Sequence, residues 1–219
     1  SYCELHKKME LQYPNGKEGQ RVIEKTIKKI KADGKNNKYD CIIGVSGGRD
    51  STFALYNLKN WGLRPLAVHF NDGFGNPVAG ENIRKITEKL NVDLYTVTSD
   101  WRESKDLKLS FLKASTPDLE NPTDLGIFAT LLGAAVKENS KHVVIGNSFR
   151  TEGVAPIDWF YYDGKYLNSV HKQFGTVPLR GWKPGDPGFN LNMAHVFYYI
   201  IIRRIKIFYA LYLSLIHIS

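Results

Sequence analysis

Cysteine is scarce in this sequence, and its scarcity excludes one class of protein. Only Cys3 and Cys41 occur among the 219 residues, so the chain has no disulfide framework of the kind that holds small secreted domains together. The sequence also shows no secretory signal peptide. We therefore expect a protein of the reducing cytoplasm.

An uninterrupted apolar run long enough to span a bilayer is also missing. Residues 195–219 are strongly apolar, but Arg203, Arg204 and Lys206 interrupt the run near its middle. Charges are most costly at the centre of a membrane-spanning segment. We interpret this run as a buried or broken helix and expect no membrane span.

A broad surface of one charge sign is the third absence. The formal net charge is +8, but residues 1–40 carry ten Lys/Arg against six Asp/Glu, and residues 41–199 carry seventeen against sixteen. The last twenty residues add three positive charges. Because the body of the chain is nearly neutral, nucleic acid is not the expected partner, although a basic N-terminal arm stays open as an alternative.

The most informative stretch present is CIIGVSGGRDST, residues 41–52. Its apolar start predicts a strand buried on both faces, and Gly47 and Gly48 then allow a sharp turn and close approach to a ligand. Helical spacing begins near residue 50, where one face of the predicted helix contains Ala54, Leu58 and Trp61. Gly62 follows and suits a C-terminal cap.

This loop has the composition of a phosphate and metal site. Its N–H groups would lie at a helix N-terminus, which favours an anion, and Ser46, Ser51 and Thr52 add hydroxyl donors. Asp50 suits an accompanying cation such as Mg²⁺. A P-loop is excluded because no lysine follows Gly48, and the glycine spacing does not match a dinucleotide fingerprint. The alternative is a turn whose glycines serve only the chain reversal.

Alternating strands and helices predict the fold class. Strands are predicted at 40–45, 64–72, 92–98 and 142–147, and helices at 16–33, from about 50 to 61, after Pro77, at 103–114 and at 123–139. This order is typical of an α/β, doubly wound parallel sheet. Ligands bind such sheets beyond the carboxyl ends of the strands. We therefore expect the loops at 46–51, 71–75 and 147–153 to converge on one crevice.

SGGRDS, residues 46–51, resembles the S-G-G-x-D-S signature of the PP-loop ATP pyrophosphatases, which have a Rossmann-like HUP fold and split ATP between its α and β phosphates. Four segments further resemble the N-acetyl sugar amidotransferases of that superfamily. They are, in order, YDCIIGVSGGRDSTFALY, NPTDLGIFA, IGNSFRTEG and HKQFGTVPL. The resemblance covers about residues 1–212.

The resemblance implies a reaction, its substrates and a partner. The enzyme would adenylate the acetamido oxygen of an N-acetyl sugar nucleotide or sugar acid, and ammonia would then replace that oxygen to give an acetamidino group. ATP and Mg²⁺ would be required, and a separate glutaminase subunit would supply the ammonia. The pathway implied is the synthesis of bacterial surface polysaccharide, including lipopolysaccharide.

The resemblance also divides the chain. Residues 1–38 would be a helical lead-in, residues 39–180 the nucleotide-binding domain and residues 181–212 a truncated helical segment. Family members begin with a cysteine-rich zinc element of which only Cys3 would remain here, so Zn²⁺ is expected in the full-length protein only. LSLIHIS, residues 213–219, matches a translated sequencing adaptor and is expected to be non-native.

Roles are carried over to matching positions. The implied catalytic residues are Ser46, Asp50, Ser51, Arg150, Glu152 and Lys172, with Asp50 as the metal ligand. The implied nucleotide-binding residues are Val45, Ser46, Gly47, Gly48, Arg49, Asp50, Ser51, Thr52, His69, Phe70, Asn71, Gly146 and Asn147. The serines and glycines of the loop would hold the leaving pyrophosphate, and Asp50 would hold Mg²⁺.

Several of these positions have a plainer interpretation. His69 suits core or base packing better than catalysis, and Asp72 suits a polar turn better than a metal site. The Arg150–Glu152 cluster could be a solvated loop. Lys172 and Arg180 could be ordinary surface cations, and the aromatic stretch 158–167 suits core packing better than sugar stacking.

Two other functions stay open. A tRNA-modifying PP-loop enzyme of the thiolase or lysidine type also adenylates a carbonyl oxygen. Against a thiolase, Cys41 is predicted at the start of its strand, away from the loop. A non-catalytic ATP-binding module is the second alternative, which the complete signature with its aspartate disfavours.

Overall fold

A five-stranded parallel sheet forms the centre of the molecule. The computed structural model describes residues 2–14, 16–152, 161–184 and 188–213. The strands lie in the order β3-β2-β1-β4-β5, and every neighbouring pair is parallel. Their bounds are β1 Cys41–Gly44, β2 Pro65–Asn71, β3 Leu94–Thr98, β4 His142–Ile145 and β5 Lys206–Tyr209.

Helices connect the strands and cover both faces of the sheet. Their bounds are α1 Tyr2–Gln12, α2 Gly16–Gly34, α3 Arg49–Asn60, α4 Pro77–Leu90, α5 Trp101–Lys113, α6 Asn121–Lys137, α7 Phe149–Glu152, α8 Gly164–Phe174 and α9 Met193–Phe197, which continues into a π-helical turn Tyr198–Ile202. The predicted start at Pro77 is confirmed, with Asn76 accepting a hydrogen bond from the Val78 N–H at 2.9 Å. Gly62 follows α3 at a φ of 73°, as a C-terminal cap requires.

Alternate residues of the central strands enter two separate cores. Ile42 points into a core formed with α5, α6 and α8, and its neighbours Cys41 and Ile43 point into a core formed with α2, α3 and α4. All three side chains are fully buried. A strand that is covered on both faces needs such a continuous apolar run. The predicted doubly wound, Rossmann-like α/β fold is therefore confirmed.

The C-terminal run differs from its predicted form. It is helical only as far as Ile202, and residues 206–209 then form β5 against β4. The change of direction occurs at Arg204, whose φ of 56° is left-handed. A residue with a left-handed backbone conformation ends a helix. At this position the residue is arginine, and a glycine would have predicted the end of the helix from the sequence. Across the described residues, no helix combines the length and the apolar character needed to cross a membrane.

Candidate functional site

A cavity of about 900 Å³ opens at the carboxyl ends of the neighbouring strands β1 and β4, where the order of the strands in the sheet reverses. We call it the main cavity. Its lining includes Ser46, Gly48, Arg49, Asp50 and Ser51 from the loop after β1, Gly75 from the loop after β2, and Gly146 and Asn147 after β4. The predicted convergence of three loops is therefore confirmed. The position is the topological switch point of the sheet, where α/β folds bind their ligands.

Gly47 gives the phosphate loop, residues 45–48, its sharp turn. Its φ is 75°, and a Cβ atom there would lie 2.2 Å from the carbonyl oxygen of Ala79 in α4. The Asn82 side chain donates a hydrogen bond to the Gly47 carbonyl at 3.2 Å. Only glycine suits this position, because both the backbone conformation and the contact with α4 exclude a side chain. Helix α4 therefore supports the phosphate loop from outside.

The loop presents hydroxyl and N–H donors at the start of α3. Ser46 Oγ and Ser51 Oγ are 3.0 Å apart, and the Ser46 N–H donates to Ser51 Oγ at 3.2 Å. No side chain caps α3 or α6, whereas side chains cap α4, α5, α8 and α9. The first N–H groups of a helix have no intrahelical acceptor. An anion in the cavity could accept from them, and the helix dipole would favour its charge.

Asp50 brings a carboxylate to the same end of α3. Its side chain is 16% exposed, and one oxygen lies 3.6 Å from Nε of Arg49, which is 81% exposed. A carboxylate repels a phosphate, so the presence of Asp50 in the lining fits a site that takes a cation with the anion. No cluster of three or more His, Cys, Asp or Glu side chains suited to a metal occurs in the part of the chain that the structure describes.

Residues at the ends of β2 and β4 form the walls beside the loop. His69 Nδ1 donates to the Val45 carbonyl at 2.9 Å, which ties the end of β2 to the start of the phosphate loop. At Gly146, a Cβ atom would lie 2.7 Å from the Cα of Ser51, so this glycine is needed for packing against α3. The Oδ1 atom of Asn147 is buried and has no hydrogen-bond partner among the described residues. A ligand donor in the cavity would satisfy it.

Two carboxylates lie near the opposite rim, and their environments differ. Burial acts to raise the pKa of Asp72, but the Phe74 N–H, the Thr123 hydroxyl and Lys108 outweigh it, so its pKa lies below the ordinary value. Asp72 is therefore an ionised turn residue held by Lys108 at 3.1 Å. Burial raises the pKa of Asp124, and the Tyr162 hydroxyl, which donates to it at 2.9 Å, only partly offsets this.

Most of the predicted nucleotide-binding residues line the main cavity. Those that do are Val45, Ser46, Gly48, Arg49, Asp50, Ser51, His69, Phe70, Gly146 and Asn147. Gly47 and Thr52 line a neighbouring groove instead. Asn71 lies outside both linings, and its side chain accepts a hydrogen bond from the Gly73 N–H at 2.9 Å. The roles assigned to these residues stay predictions.

Arg150 and Lys172 are not brought into the cavity lining. The Arg150 guanidinium donates to the carbonyl of Tyr13, at 2.8 Å, and to that of Tyr212, which joins the two ends of the described chain. Lys172 is exposed on α8, next to His171, which pairs with Asp106 at 2.8 Å. Glu152 ends α7, and its side chain lies outside the described residues, as does the stretch 153–160.

Sequence reasoning missed part of the wall opposite the phosphate loop. The missed lining residues come from α6 and from β5: Thr123, Asp124, Ile127, Phe128 and Tyr209. Tyr162 belongs to the aromatic stretch 158–167, for which the sequence favours core packing, but it lines the cavity and is 39% exposed, so that prediction is wrong for this residue. Residues 121–129 entered the sequence argument only as a matching segment, because nothing in their spacing shows that the start of α6 faces the loop. The position of Tyr209 in the cavity wall could not be predicted, because it depends on β5, a strand that the sequence did not predict.

Comparison with known proteins gives partial matches. The chain is 34% identical over 91 residues to an uncharacterised protein of Methanocaldococcus jannaschii, a match that covers 41% of this chain and 32% of that protein. It is 32% identical over 127 residues to the 7-cyano-7-deazaguanine synthase of Sulfurimonas denitrificans, covering 51% of this chain and 55% of the synthase. The chain therefore spans from a third to about half of the length of these relatives.

Among solved structures, the NH3-dependent NAD synthetase of Campylobacter jejuni in complex with nitrate superposes with a TM-score of 0.45 at 18% identity. The superposition covers 73% of this chain and 79% of the synthetase. No protein-family model matches the chain. Neither the synthase nor the synthetase carries a name that mentions an amidotransferase or an N-acetyl sugar.

Proposed function

We propose that the protein is an ATP-using PP-loop enzyme that converts the acetamido group of an N-acetyl sugar into an acetamidino group. One observation carries the proposal: the SGGRDS loop, residues 46–51, opens an uncapped helix into a cavity of about 900 Å³. That volume lies in the upper part of the roughly 300–1,000 Å³ range of small-molecule sites. It has room for a nucleotide together with the reacting end of a second substrate.

The residues of the loop fit the phosphates of ATP. Ser46, Ser51 and the first N–H groups of α3 would hold the departing pyrophosphate by donating hydrogen bonds to it. Asp50 would hold Mg²⁺, which would neutralise charge that develops on the phosphate oxygens. The buried Oδ1 of Asn147 would accept a hydrogen bond from the nucleotide.

The reaction needs activation because an amide is a poor electrophile. The amide oxygen would attack the α-phosphorus of ATP, and the bond from that phosphorus to pyrophosphate would break. Ammonia would then bond to the activated carbon, and AMP would leave with the former amide oxygen while a proton passes to solvent. The residues of this chain would contribute by aligning the two substrates and holding the leaving group.

The superfamily and the substrate rest on different observations. The signature loop, the fold and the similarity to a named synthase support a PP-loop enzyme. The amidotransferase assignment rests on the resemblance of four sequence segments. A cytoplasmic location and a glutaminase partner that delivers ammonia belong to this proposal.

A second candidate follows from the 32% identity to 7-cyano-7-deazaguanine synthase. A cyano nitrogen can also come from ammonia once a carboxyl or carboxamide oxygen has been activated. The substrate would then be a 7-deazaguanine with such a group at position 7, and the same loop would hold the pyrophosphate.

The test is a product assay with Mg·ATP, ammonium and three substrate classes in parallel. These are N-acetylated sugar nucleotides and sugar acids, 7-carboxy- and 7-carboxamido-7-deazaguanine, and bulk tRNA. Phosphorus NMR would identify the nucleotide products, and mass spectrometry would detect the loss of about 1 Da when NH replaces an amide oxygen. AMP and pyrophosphate formed only with a sugar support the proposal. Products formed only with a deazaguanine or with tRNA assign a different substrate, and formation of ADP contradicts the PP-loop assignment.

A further inference from the structure

A second concavity lies on the other side of the phosphate loop, between α3 and α4. We call it the side groove. It has a volume of about 610 Å³, and its lining includes Gly47, Gly48 and Arg49 from the loop region, Phe53 and Tyr56 from α3, and Asn82, Lys85 and Lys89 from α4. Gly47, Gly48, Arg49 and Thr52 also belong to the implied nucleotide-binding set, but the reaction proposed above assigns no role to the side chains of this groove.

The charges of the side groove suit an anion. Its charged lining residues are Arg49, Lys85 and Lys89, and the described lining contains no acidic side chain. Lys85 pairs with Glu81 at 2.7 Å, but both side chains are more than half exposed, so this ion pair is weak and open to competition. The formal charge of the lining is therefore +3, and the groove would attract phosphate groups.

The α3 side of the groove suits a flat ring. Phe53 and Tyr56 lie one helical turn apart, with ring centroids 6.5 Å apart and ring planes 27° from parallel. Tyr56 is 45% exposed although it is a large aromatic residue. Stacking on such a surface does not require a particular base or sugar. An aromatic wall opposite two lysines is an arrangement that suits a nucleotide.

The side groove and the main cavity share Gly48 and Arg49. We propose that the side groove binds the nucleoside diphosphate part of a sugar-nucleotide acceptor, so that its sugar passes Gly48 and places the acetamido group in the main cavity. This inference rests on the proposed function and narrows it, because it selects sugar nucleotides over free sugar acids. The ring would stack on Tyr56, and Lys85 and Lys89 would contact the diphosphate.

Binding is measured first, without turnover. Isothermal titration of uridine diphosphate into protein saturated with Mg·α,β-methylene-ATP should show one molecule bound, because the two ligands occupy different concavities. Competition between them would mean that the phosphates of ATP themselves fill the groove, and it would overturn the inference. So would binding of a single-stranded oligonucleotide under conditions in which uridine diphosphate does not bind.

Variants then locate the site. Replacing both Lys85 and Lys89 with alanine should raise the Kd of uridine diphosphate at least about tenfold, since the loss of even one charge-assisted hydrogen bond has an effect of that size. Tyr56→Ala should weaken binding by a similar factor through lost stacking. Arg84→Ala is the matched control, since it removes a charge from the same helix at a residue outside the groove lining. Equal weakening by the control, or none by the double variant, would contradict the inference.

The outcomes separate this inference from the proposed function. Tight binding of uridine diphosphate at this groove without amidine formation would support the inference and contradict the proposed function. Amidine formation from a free N-acetyl sugar acid, with no binding of uridine diphosphate, would support the function and overturn the inference.

Discussion

The main cavity and the side groove share the phosphate loop as a wall, yet they differ in charge. Arg49, Asp50 and Asp124 give the main cavity a formal charge of −1, whereas the side groove has +3. Charge alone would place a site for ATP on the more positive side. The loop instead offers N–H groups and hydroxyls toward a cavity that contains carboxylates. On the two proposals above, phosphate held together with a cation would use helix dipoles and a carboxylate, whereas phosphate held without a cation would use lysines.

The largest effect is expected at Asp50, which lines the main cavity only. Asp50→Asn should lower the rate of pyrophosphate release by about 10²–10³-fold, since it removes the one charged ligand expected to hold Mg²⁺ beside the developing charge. The Kd of uridine diphosphate at the side groove should stay within about twofold, a change near the scatter of such binding constants. If Asp50→Asn retained its turnover, the main cavity would not depend on the Asp50 carboxylate for the release of pyrophosphate, and the proposed contrast between the two concavities would be wrong.

The next largest effect is expected on stability, in the phosphate loop that both concavities share. Its two neighbouring glycines, Gly47 and Gly48, can be compared by the same substitution. Gly47→Ala should lower the free energy of unfolding by about 2–4 kcal/mol, because a left-handed φ and a contact with backbone both oppose a Cβ atom. Gly48→Ala should cost less than about 1 kcal/mol, since Gly48 is extended and its Cβ would meet only Ser46 Oγ, at 3.4 Å. Chemical denaturation measures both. Equal losses would mean that α4 does not fix the loop.

The difference between these glycines also shows what the sequence could predict. The turn at Gly47 and Gly48, the uncapped helix and the converging loops all follow from local patterns that repeat in parallel α/β sheets. The contact of Gly47 with Ala79 does not, because those residues are distant in sequence and only the packing of α4 against α3 brings them together. The same holds for Asp124 in the cavity wall.

Strand β5 could not be predicted for a different reason. Its sequence, KIFY, is short and lies in a long, largely apolar run, and such a run has no period that separates a strand from a buried helix. The break before it occurs at Arg204, a residue that gives no turn signal. Conversely, the polar cluster at Arg150 suggested a catalytic loop, whereas its guanidinium contacts two backbone carbonyls.

A substitution at Arg150 tests whether ligands bind in the two concavities without a contribution from this residue. Arg150→Met should lower the free energy of unfolding by about 1–3 kcal/mol, because two carbonyls lose a charged donor. The Kd values of α,β-methylene-ATP and uridine diphosphate should stay unchanged, and Arg150→Lys should recover part of the stability. Urea denaturation and titration calorimetry measure these quantities. Weaker nucleotide binding at unchanged stability would support the catalytic role predicted from the sequence.

The smallest effect is expected at Asp124, on the far rim of the main cavity. Burial, reinforced by Asp118 and Glu120, raises its pKa above the ordinary value in the folded state. A carboxyl with a raised pKa binds its proton more tightly when folded, so its ionisation destabilises the fold as the pH rises through that pKa.

Asp124→Asn should therefore raise the Tm at about pH 7, by the few degrees that correspond to less than about 1 kcal/mol. The gain should vanish near pH 3, about one unit below the ordinary Asp pKa of about 3.9, where the carboxyl is largely protonated in both states. Thermal melts of both proteins across this range measure it, with Asp72→Asn as the control, whose lowered pKa predicts a loss of stability at neutral pH. A gain that persisted in acid would mean that the charge of Asp124 is not its cause.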